Sequence, residues 1–369
     1  VRTYHTSTES WATERYVAQT LHAIGLDPGR SWSVSARKGH HGSARISSDR
    51  LDVFVKHGDG GQTSHETFNV ERGVLQTLAT HGLAAAVPEL RGWGTDAYGR
   101  PVLATRYLAD ARSLLDHHEA DPHLVEAVAP ELGRSIARVH VLRAEDWPAT
   151  LEAALSGRVP AGPTLVVALG LQAVSSDLWS ELSAGSGELL GLAHADADVR
   201  DQARQAFAEL TAPGLTTLVH GDLRPDHVLR APDGALTLSD WETAHLGRPE
   251  EDLASLIAEW LLLELMGIDA DAIARTDDGA FGSAAVAAVE RVLPRIQALL
   301  AGYDAEGPRL DPRLLACVIG IATIGRLMAV ASSMTRASML QRSVLGLAMA
   351  MVTDADGFVQ DLGLVAGVA

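Results

Sequence analysis

Residues 218–229, LVHGDLRPDHVL, constrain this chain more than any other stretch. Four titratable side chains, His220, Asp222, Asp226 and His227, fall within eight residues, and apolar pairs close the segment at both ends. Apolar flanks around a polar, Gly- and Pro-containing centre read as strand ends framing a loop. A second strand-like run, ALTLSDW (235–241), places Asp240 at its end, eighteen residues after Asp222. GRPEEDLA (247–254) then leads into a helical pattern that carries Glu259. A short strand, a loop rich in acids and imidazoles and a second strand ending in a carboxylate pose the question of a catalytic loop.

The rest of the chain supplies a context. Residues 9–24 have helical spacing and stop at GLDPG. SWSVSARKGHHGSARISSDRLDVFVKHG reads as strand, glycine-containing turn, strand, turn and strand. After GDGGQ, residues 64–80 read as a helix that closes at HG, and VPELRGWGTDAYGRPVLATRYL as two short strands around a turn with Asp96, Gly99 and Pro101. From about Arg112 helices dominate, including 124–142, and the later strands are expected only beside 218–229 and at 235–241. The fold class is therefore α+β: a small strand-rich part with one main helix, residues 1–106, then a large helical part, residues 107–369. Residues 144–212 are expected to form an insert within the second part, weakly charged and rather apolar.

Composition narrows the chemistry. Of 30 basic residues only two are lysines, Lys38 and Lys56. A chain that writes nearly every cation as Arg and keeps a lysine near the end of the strand DVFVKH points to a need for a compact ammonium, and phosphate binding is one such need. The net charge of −17 is uneven: residues 1–110 hold 12 basic and 11 acidic residues, so the acidic excess lies in the remainder. That surface suits a cationic partner or serves solubility, and without a basic stripe interleaved with aromatics it disfavours nucleic acid. One cysteine, Cys317, excludes an internal disulfide and a thiolate metal cluster. The first ten residues lack the apolar core of a signal peptide, and LLACVIGIATIG (314–325), ending at Arg326, is too short to span a bilayer. A buried helix and a soluble, cytoplasmic protein with no membrane partner are the expectation.

Phosphoryl transfer from a nucleotide needs a set of parts that this chain presents in order. They are a turn of small residues (KGHHGSA, 38–44), a strand lysine (Lys56), a helix glutamate fifteen residues on (Glu71), a loop aspartate (Asp222) with a metal-capable side chain five residues later (His227), and a second aspartate (Asp240). Other searches are empty: there is no G-x-x-x-x-G-K-[ST], no H-E-x-x-H and no G-x-S-x-G. The pairs His40–His41 and His117–His118 lack metal spacing.

On these residues the chain resembles the aminoglycoside phosphotransferase (APH) branch of the protein-kinase-like superfamily. HGDLRPDH matches that family's H-G-D-x-x-x-x-N except at its last residue, LSDWETA resembles I-D-W-E-x-A, and GRPEEDLA matches G-x-P-x-x-D-L-A. ELGRSIARVH (131–140) is similar to the helix before the family's substrate insert. The resemblance runs from about residue 30 to 350. It implies a bilobal fold with a small antiparallel N-lobe, and ATP (or GTP) with Mg²⁺ as cofactors. It assigns Asp222 as the carboxylate that takes or orients the acceptor proton and Asp240 as the main metal ligand, with His227 as the second. Lys56 would contact the α/β-phosphates, braced by Glu71, or by Glu66 if the helix register differs. Gly39, His40, His41, Gly42 and Ser43 would cover the phosphates, and Thr105, Arg106 and Tyr107 would form the hinge that reads adenine through the backbone. His220 would orient the loop and Asp252 tie it to the following helix. Arg224 stands where protein Ser/Thr kinases keep a lysine near the transferring phosphoryl group.

His227 is the departure, because Mg²⁺ prefers oxygen and imidazole is a poor substitute for an amide. A nucleotide-binding pseudokinase is one consequence. Intact Asp222 and Asp240 favour an active enzyme, and family members resembling the 2″-phosphorylating group carry Asp-His as PDHVL does. The expected activity is transfer of a γ-phosphate to the hydroxyl of a small molecule, a cationic one included. A Ser/Thr kinase of a modified peptide is the alternative. For a cationic acceptor the acid-rich candidates are Asp196, Asp198, Asp201, Glu242, Glu250, Glu251 and Glu259, with Glu242 and Glu259 foremost.

Overall fold

The computed structural model describes residues 14–29, 31–37, 42–143, 147–155, 162–215, 217–269 and 280–364. Five strands form one antiparallel sheet: β1 (Trp32–Arg37), β2 (Gly42–Ser48), β3 (Asp52–His57), β4 (Leu90–Thr95) and β5 (Pro101–Arg106), in spatial order β1-β2-β3-β5-β4. In β3 the period of two buries Val53, Val55 and His57 on one face and turns Phe54 and Lys56 to the other. The first face packs against Val17, Leu21 and Ile24 around the helix Glu14–Ala23. The β4–β5 turn is pinned to that helix by buried Asp96. Its Oδ1 accepts from the backbone N–H of Tyr98 and Arg100 (both 2.8 Å), and its Oδ2 meets Arg100 Nε (2.8 Å), His57 Nε2 (3.0 Å) and the Tyr16 hydroxyl. Burial works against the Asp96 charge, but these donors hold its carboxyl well below the usual range.

The helix Gln62–Leu78 covers the other face of the sheet, and its packing crosses the lobe boundary. Phe68, Val74, Leu75 and Leu78 belong to the same apolar core as the C-terminal helices. A Cβ on Gly73 would lie 3.2 Å from Leu151 in the helix Ala149–Leu155. The chain passes from sheet to helical part after β5, while the core runs on through this helix.

Beyond Arg112 the chain is mainly helical, with two small sheets. Arg112–Ser113, Val228–Arg230 and Leu236–Leu238 form one, in the order given, and Thr217–Val219 with His245–Gly247 the other. The strands at 112–113 and 245–247 are additional to the sequence reading, since two or three residues are too few to display alternation. Helices Pro122–His140 and Ala280–Asp304 cross backbone to backbone: a Cβ on Gly302 would sit 2.0 Å from the Pro130 carbonyl, and one on Gly133 would sit 2.1 Å from that of Leu299. The helix Pro312–Val330 is buried from Leu314 through Ile324, between Glu250–Met266 and Met339–Thr353. With the turn that follows it is long and apolar enough to cross a membrane, longer than the run suggested, but 72 % of its most apolar window lies inside the molecule. The 144–212 region holds helices including Pro163–Gln172, Ala184–Ala195 and Ala197–Leu210.

Candidate active site

The loop after Thr217–Val219 owes its shape to one buried carboxylate. Asp252, in the first turn of the helix Glu250–Met266, accepts from the backbone N–H of His220 (2.7 Å) and of Gly221 (2.9 Å), and pairs with His140 Nε2 (3.1 Å). Burial opposes its charge, but His140 and the loop keep the Asp252 carboxyl below the usual range. Gly221 turns the chain at φ +80°, and a Cβ there would lie 2.7 Å from the Thr243 carbonyl, so only glycine fits. His220 is fully buried, meets the Ser239 carbonyl through Nε2 (2.8 Å) and lies against Trp241 (centroids 4.5 Å apart). Burial lowers its pKa, and a neutral ring matches its role as a spacer between two loops.

This clamp sets Asp222 and His227. His227 Nδ1 donates to the Asp222 carbonyl (2.8 Å), which fixes the tautomer and leaves the Nε2 lone pair to accept, here from Arg224 Nη2 (2.8 Å). That Nε2 is 3.3 Å from Asp240 Oδ2. Asp240 has φ +70°, the only non-glycine residue at positive φ among the described residues, a conformation Asp tolerates better than most. Its side chain is thereby turned back into the cleft.

Across the cleft, Lys56 Nζ is held by both oxygens of Glu71 (2.9 and 2.8 Å), by Asp240 Oδ1, and at 3.8 Å by Glu242. Glu71 is therefore the brace; Glu66 is exposed and takes a hydrogen bond from Gln62. Burial would lower the Lys56 pKa, but the three carboxylates outweigh it and raise it. Burial pushes Glu71 up to about 7 against the pull of Lys56. For Asp240 burial acts upward, and Lys56 with His227 prevails and depresses its pKa. Oxygens of Glu71, Asp240 and Glu242 come within 4.8 Å of one another. Hard oxygen donors around Asp240 make a donor set that fits a divalent cation in which water fills the other positions, and His227 Nε2, 3.3 Å from Asp240 Oδ2, would join it on releasing Arg224.

A cavity of about 460 Å³ joins these groups to Ser43, Thr105, Tyr107 and Leu108. Gly42 pairs with His57 and Ser43 with Lys56 across β2–β3; Gly39, His40 and His41 lie outside the described residues. At the hinge two amides are engaged within the protein. The Arg106 N–H already donates to the Glu89 carbonyl (2.8 Å) and the Tyr107 N–H to that of Asp52 (3.0 Å), so neither is available to a base. Leu108 N–H, the next along the chain, has no partner among the described residues.

Of the acidic residues expected on the acceptor side, Glu242 lies 3.8 Å from Lys56 Nζ and lines the same cavity. Glu259 Oε2 is 3.2 Å from Arg326 Nε, and burial raises its carboxyl despite that cation. Glu250 and Glu251 are fully buried, the first on the Asp311 N–H (2.7 Å) and the second on His245 Nε2 (3.1 Å). Asp196 caps the helix Ala197–Leu210, and Asp198 and Asp201 are exposed on it. The residue that sequence reasoning missed is Arg326, whose Nη2 is 2.6 Å from Asp222 Oδ1. Its one signal was to be a lone cation closing an apolar run. Arg224 faces the other oxygen of Asp222 (Nε to Oδ2, 3.7 Å) and pairs with Asp226 (3.0 Å).

Comparisons with known proteins bear on the fold and the family. No curated protein sequence matches the chain. Among solved structures, the AMP-bound spectinomycin phosphotransferase APH(9)-Ia superposes with a TM-score of 0.53 at 12 % identity, covering 96 % of this chain and 99 % of the other. A putative aminoglycoside phosphotransferase from Ralstonia eutropha gives 0.51 at 15 % identity, with 94 % and 96 % covered. A microcompartment-associated aminopropanol kinase gives 0.51 at 15 %, with 95 % and 99 % covered. These share the protein-kinase-like fold. The model of the phosphotransferase enzyme family (APH) matches residues 40–298, more than half of the sequence, and the chain belongs to that family.

Proposed function

We propose that this protein transfers the γ-phosphoryl group of ATP, with Mg²⁺, to a hydroxyl of a small molecule. The observation that carries the reading is the position of Lys56. A buried ammonium is gripped by Glu71 on one lobe and reaches Asp240 on the other, in a cavity also lined by His227 and Arg224, both of which contact Asp222. A strand lysine braced in this way suits the α/β-phosphates, and GTP would meet the same groups. Leu108 N–H offers the purine a hinge donor, and Ser43 lies where the phosphates would pass. Asp240, with His227 as second ligand, would hold the cation, which supplies charge neutralisation for the phosphates. Asp222 orients the acceptor hydroxyl and receives its proton as that oxygen bonds to phosphorus and the bond to the departing diphosphate oxygen breaks. Arg224, beside Asp222, faces the developing charge on the transferred group. AMP is bound by the spectinomycin phosphotransferase and an amino alcohol is the namesake substrate of the aminopropanol kinase, which supports a nucleotide donor and a small acceptor.

The test is nucleotide consumption by the full chain with Mg²⁺ across alcohols, amino alcohols, sugars and Ser/Thr peptides, with Asp222→Asn beside the wild type. Acceptor-dependent ADP release that falls about a hundredfold or more in the variant is expected. Equal inertness of both proteins toward every acceptor would overturn the reading in favour of a nucleotide-binding pseudokinase.

A further inference from the structure

Three residues along one face of the helix Glu250–Met266 are joined to the loop that carries Asp222, two of them through a cation from another helix. Asp252, Ser255 and Glu259 stand at i, i+3 and i+7, a spacing that aligns side chains on a helix. Asp252 holds the loop backbone at His220 and Gly221, while Ser255 and Glu259 meet Arg326 of the helix Pro312–Val330. Arg326 Nη2 donates to the Ser255 hydroxyl (3.2 Å). Its Nε lies 3.2 Å from Glu259 Oε2, an ion pair rather than a hydrogen bond, since that oxygen has no hydrogen-bond partner. The same Nη2 donates to Asp222 Oδ1 at 2.6 Å, the short contact of a charge-assisted bond. Asp222 Oδ2 differs: among the described residues it is approached by Arg224 Nε at 3.7 Å, beyond hydrogen-bond reach. Arg224 is turned instead to Asp226 (3.0 Å) and His227 Nε2 (2.8 Å). The two oxygens of one carboxylate are thus unequal, the first fastened and the second not.

We propose that Arg326 is a positioning residue for the transfer: it fastens Asp222 Oδ1 to the helical part, so that Oδ2 is the oxygen that meets the acceptor hydroxyl and takes its proton. The assignment rests on the phosphotransfer reading above. An aspartate carboxylate turns about two side-chain bonds, and the second has broad minima. Catalysis of phosphoryl transfer is mostly positioning and charge stabilisation, and a misplacement of about 1 Å can cost about a hundredfold in rate. A guanidinium on Oδ1 removes that freedom. Arg326 is itself restrained, because its side chain is 11 % exposed and lies between the buried Ser255 hydroxyl, Glu259 and the loop. It gives up no proton and forms no bond. The acceptor's proton moves to Oδ2 as the acceptor oxygen bonds to phosphorus and the bond to the departing diphosphate oxygen breaks. One helix face thereby sets both parts of the catalytic residue, the backbone before it through Asp252 and the carboxylate through Arg326.

The test is a double-mutant cycle between Arg326→Gln and Asp222→Asn, run with ATP, Mg²⁺ and the acceptor of the screen above that releases ADP fastest. Alone, Arg326→Gln is expected to lower kcat about tenfold or more, with KM for ATP and calorimetric ATP binding within about twofold of the wild type. Arg326→Lys, which keeps the charge and a donor, should recover part of the loss, and it carries the cycle if the glutamine variant does not fold. In the Asp222→Asn background the same substitution at 326 should cost less than about twofold, because the group it positions is already lost. A merely structural role would multiply the two losses and weaken ATP binding with them. That result, or an unchanged kcat in Arg326→Gln, overturns the assignment and leaves phosphotransfer standing. Absence of wild-type turnover with every acceptor overturns both.

Discussion

Asp252 and Asp222 share a residue type and are separated by their surroundings. Asp252 is enclosed by two backbone N–H groups and an imidazole and carries no reactive edge, whereas Asp222 has both oxygens directed at guanidinium groups beside the cleft. The first holds the loop and the second is placed to act. Because the folded pKa of Asp252 is depressed, its contribution to stability is complete above the ordinary carboxylate pKa of about 4 and is lost as pH falls through the folded value. Asp252→Asn should therefore lower the stability by about 3 kcal/mol at neutral pH. The gap from wild type should narrow toward about pH 3. Urea titrations at the two pH values check this, and an equal gap at both would show that Asp252 does not stabilise as a carboxylate.

At the scale of elements, the helix pair Pro122–His140 and Ala280–Asp304 shows how small residues set geometry. Gly133 and Gly302 let the two backbones meet at Pro130 and Leu299, and His140 at the end of the first helix is thereby held on Tyr303 (Nδ1 to hydroxyl, 2.9 Å) and Asp252. A methyl at 302 has nowhere to go except into a carbonyl, so the helices must part. Gly302→Ala should cost about 3 kcal/mol, read as a lowered melting temperature; an unchanged value would mean that the crossing adapts. The same crossing carries the loop clamp, so activity of this variant should fall with its stability. The helix Gln62–Leu78 has a comparable double duty, since it bears Glu71 on one side and buries Phe68, Val74 and Leu78 among C-terminal residues.

For the whole molecule, the cleft between sheet and helices is a seam across which charges are shared while the apolar core is continuous. Lys56 of the sheet reaches Asp240 of the helical part, and Gly73 packs on Leu151. A fragment of residues 1–106 would expose the apolar face of its main helix, so it should show no cooperative urea transition by circular dichroism, whereas the full chain should. A cooperative transition in the fragment would show that the sheet and its helices suffice alone. The sequence by itself determined the two-part α+β architecture, the strand lysine, and the loop from His220 to Asp240. Each of these is written locally, in a period of two through DVFVKH and a fixed order of residues around Asp222, whereas the choice of Glu71 over Glu66 as the partner of Lys56 was left to the structure. What only the tertiary structure decided is where charges from distant segments end. Arg326, 104 positions after Asp222, meets it because helix packing turns one half-buried cation of a largely apolar helix toward the loop. Glu242 and Glu259, which local sequence offers to an acceptor, lie 3.8 Å from Lys56 Nζ and 3.2 Å from Arg326 Nε. Hinge amides that look available in ATRYL are likewise taken by strands paired across the sheet. Local periodicity fixes which side chains an element carries and on which face. Which opposite charge each one meets depends on contacts between remote segments, and burial makes those contacts strong enough to set the character of the site.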